Sequence, residues 1–272
     1  MKEIRFSRFV CTIIIILAAS SIGCTNSSKK RRSNLEIAQI KGDVASITST
    51  YWFASEKFGE PTKDSVSWVH KLVFNEFGDV VTDTKYDSNN QRFEQTEMKY
   101  DGKKLLEVST YDMKLGLLGL AKQRTYKYDA NNEIISYSET DFRKNETNTG
   151  KYKNGILETL IGPDFTEKYE ILDDNYSYKA IRTWQDGIID SSYYKYDKLE
   201  RLLEMKDFDG GRTTYHYGEH GFADKVDMPG SEETNNYKFD EKGNWIERIT
   251  YAKEGNTPSR IAYIITTKYE YK

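Results

Sequence analysis

The sequence predicts an all-β protein, an antiparallel meander of repeated β-hairpins forming a curled single sheet or an open barrel-like strip. Three observations carry this reading. A short phrase recurs: an aromatic, any residue, an aromatic, usually Asp, then a polar or Gly-bearing turn. It stands at Tyr126-Lys127-Tyr128-Asp129, Tyr194-Lys195-Tyr196-Asp197 and Tyr237-Lys238-Phe239-Asp240, while Tyr215-His216-Tyr217 runs into Gly218. Partial copies are Leu72-Val73-Phe74-Asn75, Lys85-Tyr86-Asp87, Met98-Lys99-Tyr100-Asp101 and Lys151-Tyr152-Lys153-Asn154. Beyond the first forty residues, apolar positions mostly alternate with polar ones, the period of a strand with two different faces. Tyr is abundant, at 21 residues, and Pro is scarce, at 4, which suits strands joined by tight turns.

The N-terminal elements differ in kind. Lys2, Arg5 and Arg8 precede an apolar run from Phe9 to Ala19, too short to span a bilayer comfortably. The run ends in Ser21-Ile22-Gly23-Cys24, which resembles a bacterial lipoprotein signal in which a small residue precedes the Cys that is lipidated. Ser21 occupies the place where Leu is usual, and an ordinary secretory signal cleaved nearby is the alternative. The chain has 2 Cys, Cys11 and Cys24. A mature protein starting at Cys24 has no disulfide framework, no thiolate metal site and no Cys nucleophile. The expected organisation is a signal over 1–23, a lipidated Cys and flexible basic tether over 24–39, and a β domain over 40–272. In the tether, Lys29, Lys30, Arg31 and Arg32 suit anionic headgroups or a solvated spacer. From −3 overall, the signal accounts for +2 and these four residues for +4, leaving −9 on the body. An acidic body argues against nucleic acid as a partner.

Val44 to Phe53 is β-branched and aromatic and reads as the first strand. Turn signals then recur from Phe77-Gly78-Asp79 to Lys242-Gly243-Asn244, marking about sixteen to eighteen short strands. Turns are expected at Gly102, Asn132, Gly221 and Gly243. Phe74, Tyr100, Tyr128 and Tyr152 are spaced by 26, 28 and 24 residues, and Tyr196, Tyr217 and Phe239 by 21 and 22. Each interval holds about two strands, so each hairpin buries its face against its neighbours. Residues i and i+2 share a face, so the two aromatics of each phrase point the same way. The following Asp can accept backbone N–H groups and start the reversal, and Gly or Asn then takes the left-handed position.

On these residues, with Tyr237 to Arg248 as the fullest copy, the chain resembles the YD-repeat, or Rhs-like, family. The lead-in Ile40-Lys41-Gly42-Asp43-Val44 is similar to that of envelope lipoproteins carrying such repeats. Large members wind a long β strip into a shell around a cargo, and some are linked to carbohydrate or cell-surface contact. The resemblance implies a small curled strip here and transfers no catalytic residues.

His216-Tyr217-Gly218-Glu219-His220 matches an inverted zinc-protease signature. That chemistry needs a helix, whereas these residues align with a sister repeat's strand and turn, so no metal site is expected. A Ser-His-Asp triad would need His70, His216 or His220, and no Gly-x-Ser-x-Gly elbow is present. The carboxylate pairs Glu232/Glu233, Asp173/Asp174 and Asp207/Asp209 leave a hydrolase with acidic catalytic residues as a minor alternative. Asp207 to Gly211 lacks the later ligands of a calcium loop. Trp52, Trp68, Trp184 and Trp245 are the candidate ligand-contacting aromatics, set against a core role. Met113 to Leu120 breaks the alternation and reads as an insertion that plugs an open end or touches membrane or a partner. The expected function is a non-enzymatic, lipid-anchored scaffold or binding protein of the bacterial cell envelope, at the outer membrane facing the periplasm. It needs no cofactor and takes a glycan or an envelope protein as partner. The alternative is a carbohydrate-binding module using exposed Tyr/Trp rows. A transmembrane barrel is not expected, because segments such as Arg92 to Lys99 put charges on both faces.

Overall fold

The computed structural model describes residues 32–272 apart from 115–116, 154–155 and 173–175. It contains one short helix, α1 (Asn34–Ile37), and eighteen strands. The first nine are β1 (Val44–Lys57), β2 (Glu60–Phe74), β3 (Val80–Asp87), β4 (Arg92–Asp101), β5 (Lys104–Lys114), β6 (Leu117–Tyr128), β7 (Ile134–Asp141), β8 (Glu146–Lys153) and β9 (Ile156–Ile161). The second nine are β10 (Phe165–Ile171), β11 (Ser177–Trp184), β12 (Ile189–Tyr196), β13 (Leu202–Lys206), β14 (Arg212–Tyr217), β15 (Ala223–Met228), β16 (Ser231–Phe239), β17 (Trp245–Glu254) and β18 (Arg260–Tyr271).

Each strand pairs antiparallel with the next, and β18 returns to β1 through Ile47↔Tyr269, Ser49↔Thr267 and Tyr51↔Ile265. The expected strip therefore closes into an eighteen-stranded barrel. Closure satisfies the backbone groups that an open strip would leave on its two edges. All loops from odd to even strands lie at one end, the far end below. The loops from even to odd strands lie at the other.

The turn chemistry recurs almost unchanged. Asn75, Asp87, Asp129, Asp197 and Asp240 each accept two backbone N–H groups on Oδ1, from residues i+2 and i+4, at 2.8–3.0 Å. The residue at i+3 is left-handed in every copy: Gly78 at φ 79°, Asn90 at 59°, Asn132 at 65°, Glu200 at 63° and Gly243 at 80°. Gly102 and Gly221, expected at turns, are also left-handed, at 56° and 82°. Glu200 is the one member of the five that is neither Gly nor Asn. A left-handed L-residue costs roughly 1–2 kcal/mol, less for Asn. Glu200→Asn is expected to raise stability by about 0.5–1 kcal/mol, read as a higher denaturant midpoint at unchanged slope. The gain is limited by loss of the part-exposed Arg32–Glu200 ion pair at 3.3 Å.

A second device is absent from the sequence reading. The hydroxyls of Tyr100, Tyr128, Tyr217, Tyr237 and Tyr269 donate to the carbonyls of Val80, Leu105, Leu202, Ala223 and Trp245 at 2.7–3.0 Å. Each acceptor is the first or second residue of the preceding odd strand, so the tyrosines lock successive hairpins together at the near end.

The face carrying the buried aromatics lines the inside. One inner row runs Trp68, Tyr51, Ile265, Arg248, Tyr237 across β2, β1, β18, β17 and β16. Another runs Tyr126, Tyr137, Gly150, Leu160, Glu167, Arg182 across β6 to β11. The outer wall is polar, as in the row Ser136, Lys151, Thr159, Lys168, Ile181, Ser191. Outer ion pairs such as Lys99–Glu107 at 2.7 Å and Lys238–Glu247 at 2.6 Å decorate it. A lipid-facing wall would carry an apolar band where this row carries lysines and hydroxyls.

Two sequence expectations are corrected. Residues 115 and 116 of the Met113 to Leu120 stretch lie outside the described residues, and the described flanks pair as the β5–β6 hairpin, through Asp112↔Gly119 and Met113↔Leu118, in place of the expected insertion. Residues 33–39, assigned by composition to the flexible tether, are docked on the barrel. Ser33 and Glu36 form a capping box on α1. Leu35 enters a core cluster with Val44, Ile47, Phe74 and Val80. Asn34 Oδ1 accepts from Val80 N at 3.0 Å. Lys41 N donates to Asn244 Oδ1 at 2.7 Å, and Asn244 Nδ2 donates to Lys41 O at 2.9 Å. Arg32 Nη1 donates to Leu199 O at 3.1 Å. The segment is thus a strap that touches the β2–β3, β12–β13 and β16–β17 loops at the near end.

Candidate functional site: the barrel interior

Strand alternation places polar and charged side chains among the inner aromatics, and they concentrate in two regions. In the first, Arg124 pairs with Glu139 at 2.6 Å and lies 4.6 Å from the Tyr137 ring centre. Arg182 pairs with Glu167 at 2.7 Å and lies 4.6 Å from the Phe165 ring. Tyr169 donates its hydroxyl to Glu167. Tyr178, buried, stacks on Tyr194 at 4.8 Å and meets Tyr169 at 6.1 Å. Burial pushes the Tyr137, Tyr169, Tyr178 and Tyr194 phenols up from their ordinary value, so they remain neutral hydrogen-bonding groups at physiological pH. Each charge here already has its partner.

The second region surrounds Arg248, which is only 9 % exposed. Its Nη2 donates to Tyr263 Oη at 3.4 Å, and its guanidinium lies 5.5 Å from the Tyr263 ring and 5.9 Å from the Trp245 ring. Its Nε is buried without a hydrogen-bond partner. Among the described residues no carboxylate lies within ion-pair distance of it. Tyr51 and Trp68, stacked at 3.8 Å, continue the same inner row. Glu233, on β16, also faces inward, where burial holds its carboxyl above the usual range and Arg248 partly offsets the effect.

The four tryptophans do not gather. Trp52 is on the outer wall, with Nε1 donating to Thr266 at 3.0 Å. Trp68 is inside, against Tyr51. Trp184 is inside near the far end and donates to Asp190 at 2.6 Å. Trp245 is buried near the strap end. No single groove presents all four. Cys24 and the Asp173/Asp174 pair lie outside the described residues.

The remaining candidates separate similarly. His216 lies on the outer wall, half exposed, 2.8 Å from Asp227. His220 is in the following loop with its ring 4.1 Å from Phe239. Among the described residues no three His, Cys, Asp or Glu side chains gather as metal ligands. Glu232 points outward to Lys225 at 2.8 Å while Glu233 points inward, so adjacency in sequence does not make them a catalytic pair. Asp209 Oδ1 accepts from Gly211 N at 3.0 Å and is spent on its turn. Ser49, His70 and Asp83 share the inner face of β1, β2 and β3, with His70 Nε2 2.7 Å from Asp83. Ser49 bonds Thr267 at 3.1 Å instead, and Ser49 and His70 are 4 % and 3 % exposed. That arrangement is a core polar network without a presented nucleophile.

Arg124, Glu139, Glu167, Arg182 and Arg248 were missed from sequence. A signal existed for four of them: each stands two residues from an aromatic, as in Arg124-Thr125-Tyr126 and Arg182-Thr183-Trp184, and therefore shares its face.

Fold and interior together define a closed antiparallel barrel with an aromatic, charged lining. No protein-family model matches the chain, and no curated protein matches it. Among solved structures it is similar to a porin-like protein from Bacteroides uniformis, at 12 % identity over 84 % of this chain and 96 % of that one, TM-score 0.48. It is also similar to part of a TcdB2–TccC3–Cdc42 crystal structure, at 11 % identity over 78 % of this chain and 15 % of that one, TM-score 0.35. A protein of unknown function from Bacteroides fragilis aligns at 15 % identity over 52 % of this chain and 94 % of that one, TM-score 0.24. At these identities the likeness is one of fold alone.

Proposed function

We propose that this chain is a lipid-anchored protein of the bacterial cell envelope, of YD-repeat architecture, that works by contact and not by catalysis. The strap supports this reading most directly. Arg32 lies beside the near-end loops, only eight residues after Cys24. Eight residues span at most about 29 Å. A lipid on Cys24 therefore holds the near end toward the bilayer and turns the far end, with the long β1–β2 hairpin, outward. The polar wall suits the aqueous periplasm beside an outer membrane. The inner rings act first as scaffold, because they stack on one another and their hydroxyls hold neighbouring hairpins. The scattered indoles weaken the carbohydrate-module alternative, and the dispersed carboxylates weaken the hydrolase.

Cys24→Ser is expected to release the barrel into the soluble fraction. A variant that stays membrane-bound with its signal cleaved overturns the anchor. Orientation has its own test. A fluorophore on Asn131→Cys, in a near-end loop, should be quenched more by quencher-bearing lipids than one on Asn256→Cys, in a far-end loop. Equal or reversed quenching rejects the orientation.

A further inference from the structure

We propose that the interior around Arg248 is a binding site for a small organic carboxylate carried on a ring. A guanidinium withdrawn from water loses several kcal/mol of solvation, and native proteins normally return it through a carboxylate and a full set of acceptors. Arg248 has a long hydrogen bond to Tyr263 at 3.4 Å, the neighbouring Tyr237 hydroxyl, and two rings at 5.5 and 5.9 Å, near the limit of cation–π contact, but no carboxylate among the described residues. Such contacts are weaker than an ion pair and leave Nε unanswered. The part-buried inner arginines Arg124 and Arg182 each have a glutamate. Arg248 is the exception among these three.

Its surroundings specify the missing group. The group that answers the unpartnered Nε of a cation is an anionic oxygen, and a carboxylate is the partner arginine takes most strongly. Tyr51, Trp68, Tyr263 and Glu233 are each part-exposed while facing inward, so water reaches the chamber they line. The Tyr51–Trp68 stack offers a flat apolar wall in the same row, suited to the face of a ring. Glu233 is the local competitor for the guanidinium, and it remains outside ion-pair reach.

The test uses the full chain in detergent and two probes of equal ring size, glucuronate and glucose. Glucuronate should raise the unfolding midpoint and bind by calorimetry, whereas glucose should do neither. Arg248→Lys should weaken glucuronate about tenfold or more, because the fork geometry is lost. Glu233→Gln should tighten it several-fold by removing a like charge. Equal response to glucose and glucuronate overturns the proposal, as does unchanged glucuronate affinity in Glu233→Gln. If Arg248→Lys fails to fold, the Glu233→Gln result decides.

Discussion

Gly150→Ala is expected to lower stability by about 3 kcal/mol, at the upper end of the cost of overpacking a core. Gly150 lies beneath Tyr137. A Cβ there would sit 2.1 Å from Cε1 of that ring and 2.6 Å from Cδ1 and Cζ. Tyr137 is 7 % exposed and held on its other sides by Arg124 at 4.6 Å, Tyr126 at 6.0 Å and Tyr152 at 6.1 Å. It has nowhere to move. The double mutant separates this clash from any intrinsic effect. Tyr137→Ala alone should cost about 3–5 kcal/mol. In that background Gly150→Ala should be neutral or stabilising by about 0.5–1 kcal/mol, the usual gain from replacing Gly in a strand. Chemical denaturation of the four proteins measures the coupling. Additive costs would show that Gly150 serves something other than the ring.

Tyr237→Ala carries the other large effect, about 3–5 kcal/mol. The ring packs against Phe222, Phe239 and Trp245 at 5.8, 6.0 and 6.2 Å, and its hydroxyl donates to Ala223 O at 2.7 Å. Tyr237→Phe should cost only about 0.5–1 kcal/mol. The carbonyl it abandons keeps a second donor, Asn235 Nδ2 at 3.0 Å. His216→Ala, on the outer wall, should stay within about 0.5 kcal/mol. His220→Ala should cost under about 1 kcal/mol for its contact with Phe239. Unfolding with and without chelator completes the comparison. A midpoint lowered by chelator, or histidine costs equal to that of Tyr237→Ala, would establish a metal site at the His-x-x-Glu-His segment.

The hairpin phrase was legible because its physics is local. Asp129 reaches its own turn's N–H groups at 131 and 133, and Asn132 takes the left-handed position between them. Nothing distant is needed, so composition and spacing suffice for the strands, the turns and the absence of long helices. The aromatic pairing was legible for the same reason, since Tyr126 and Tyr128 share a face by alternation alone.

Closure was not legible. The pairing of β1 with β18 joins residues such as Tyr51 and Ile265, and it depends on twist, stagger and bulges accumulated over every intervening strand. No residue near Tyr51 encodes that sum. The strap was misjudged because Ser33 to Gln39 reads as a polar spacer until Leu35 finds Phe74 and Val80 beneath it. The tryptophans illustrate the limit most plainly. Trp52 and Trp68 look equivalent in sequence, yet one bonds Thr266 on the wall and the other stacks on Tyr51 inside. Alternation determined that each strand has two faces and which side chains share one. Only the closed barrel decided which face is the interior, and so which arginines were given a carboxylate and which was left without one.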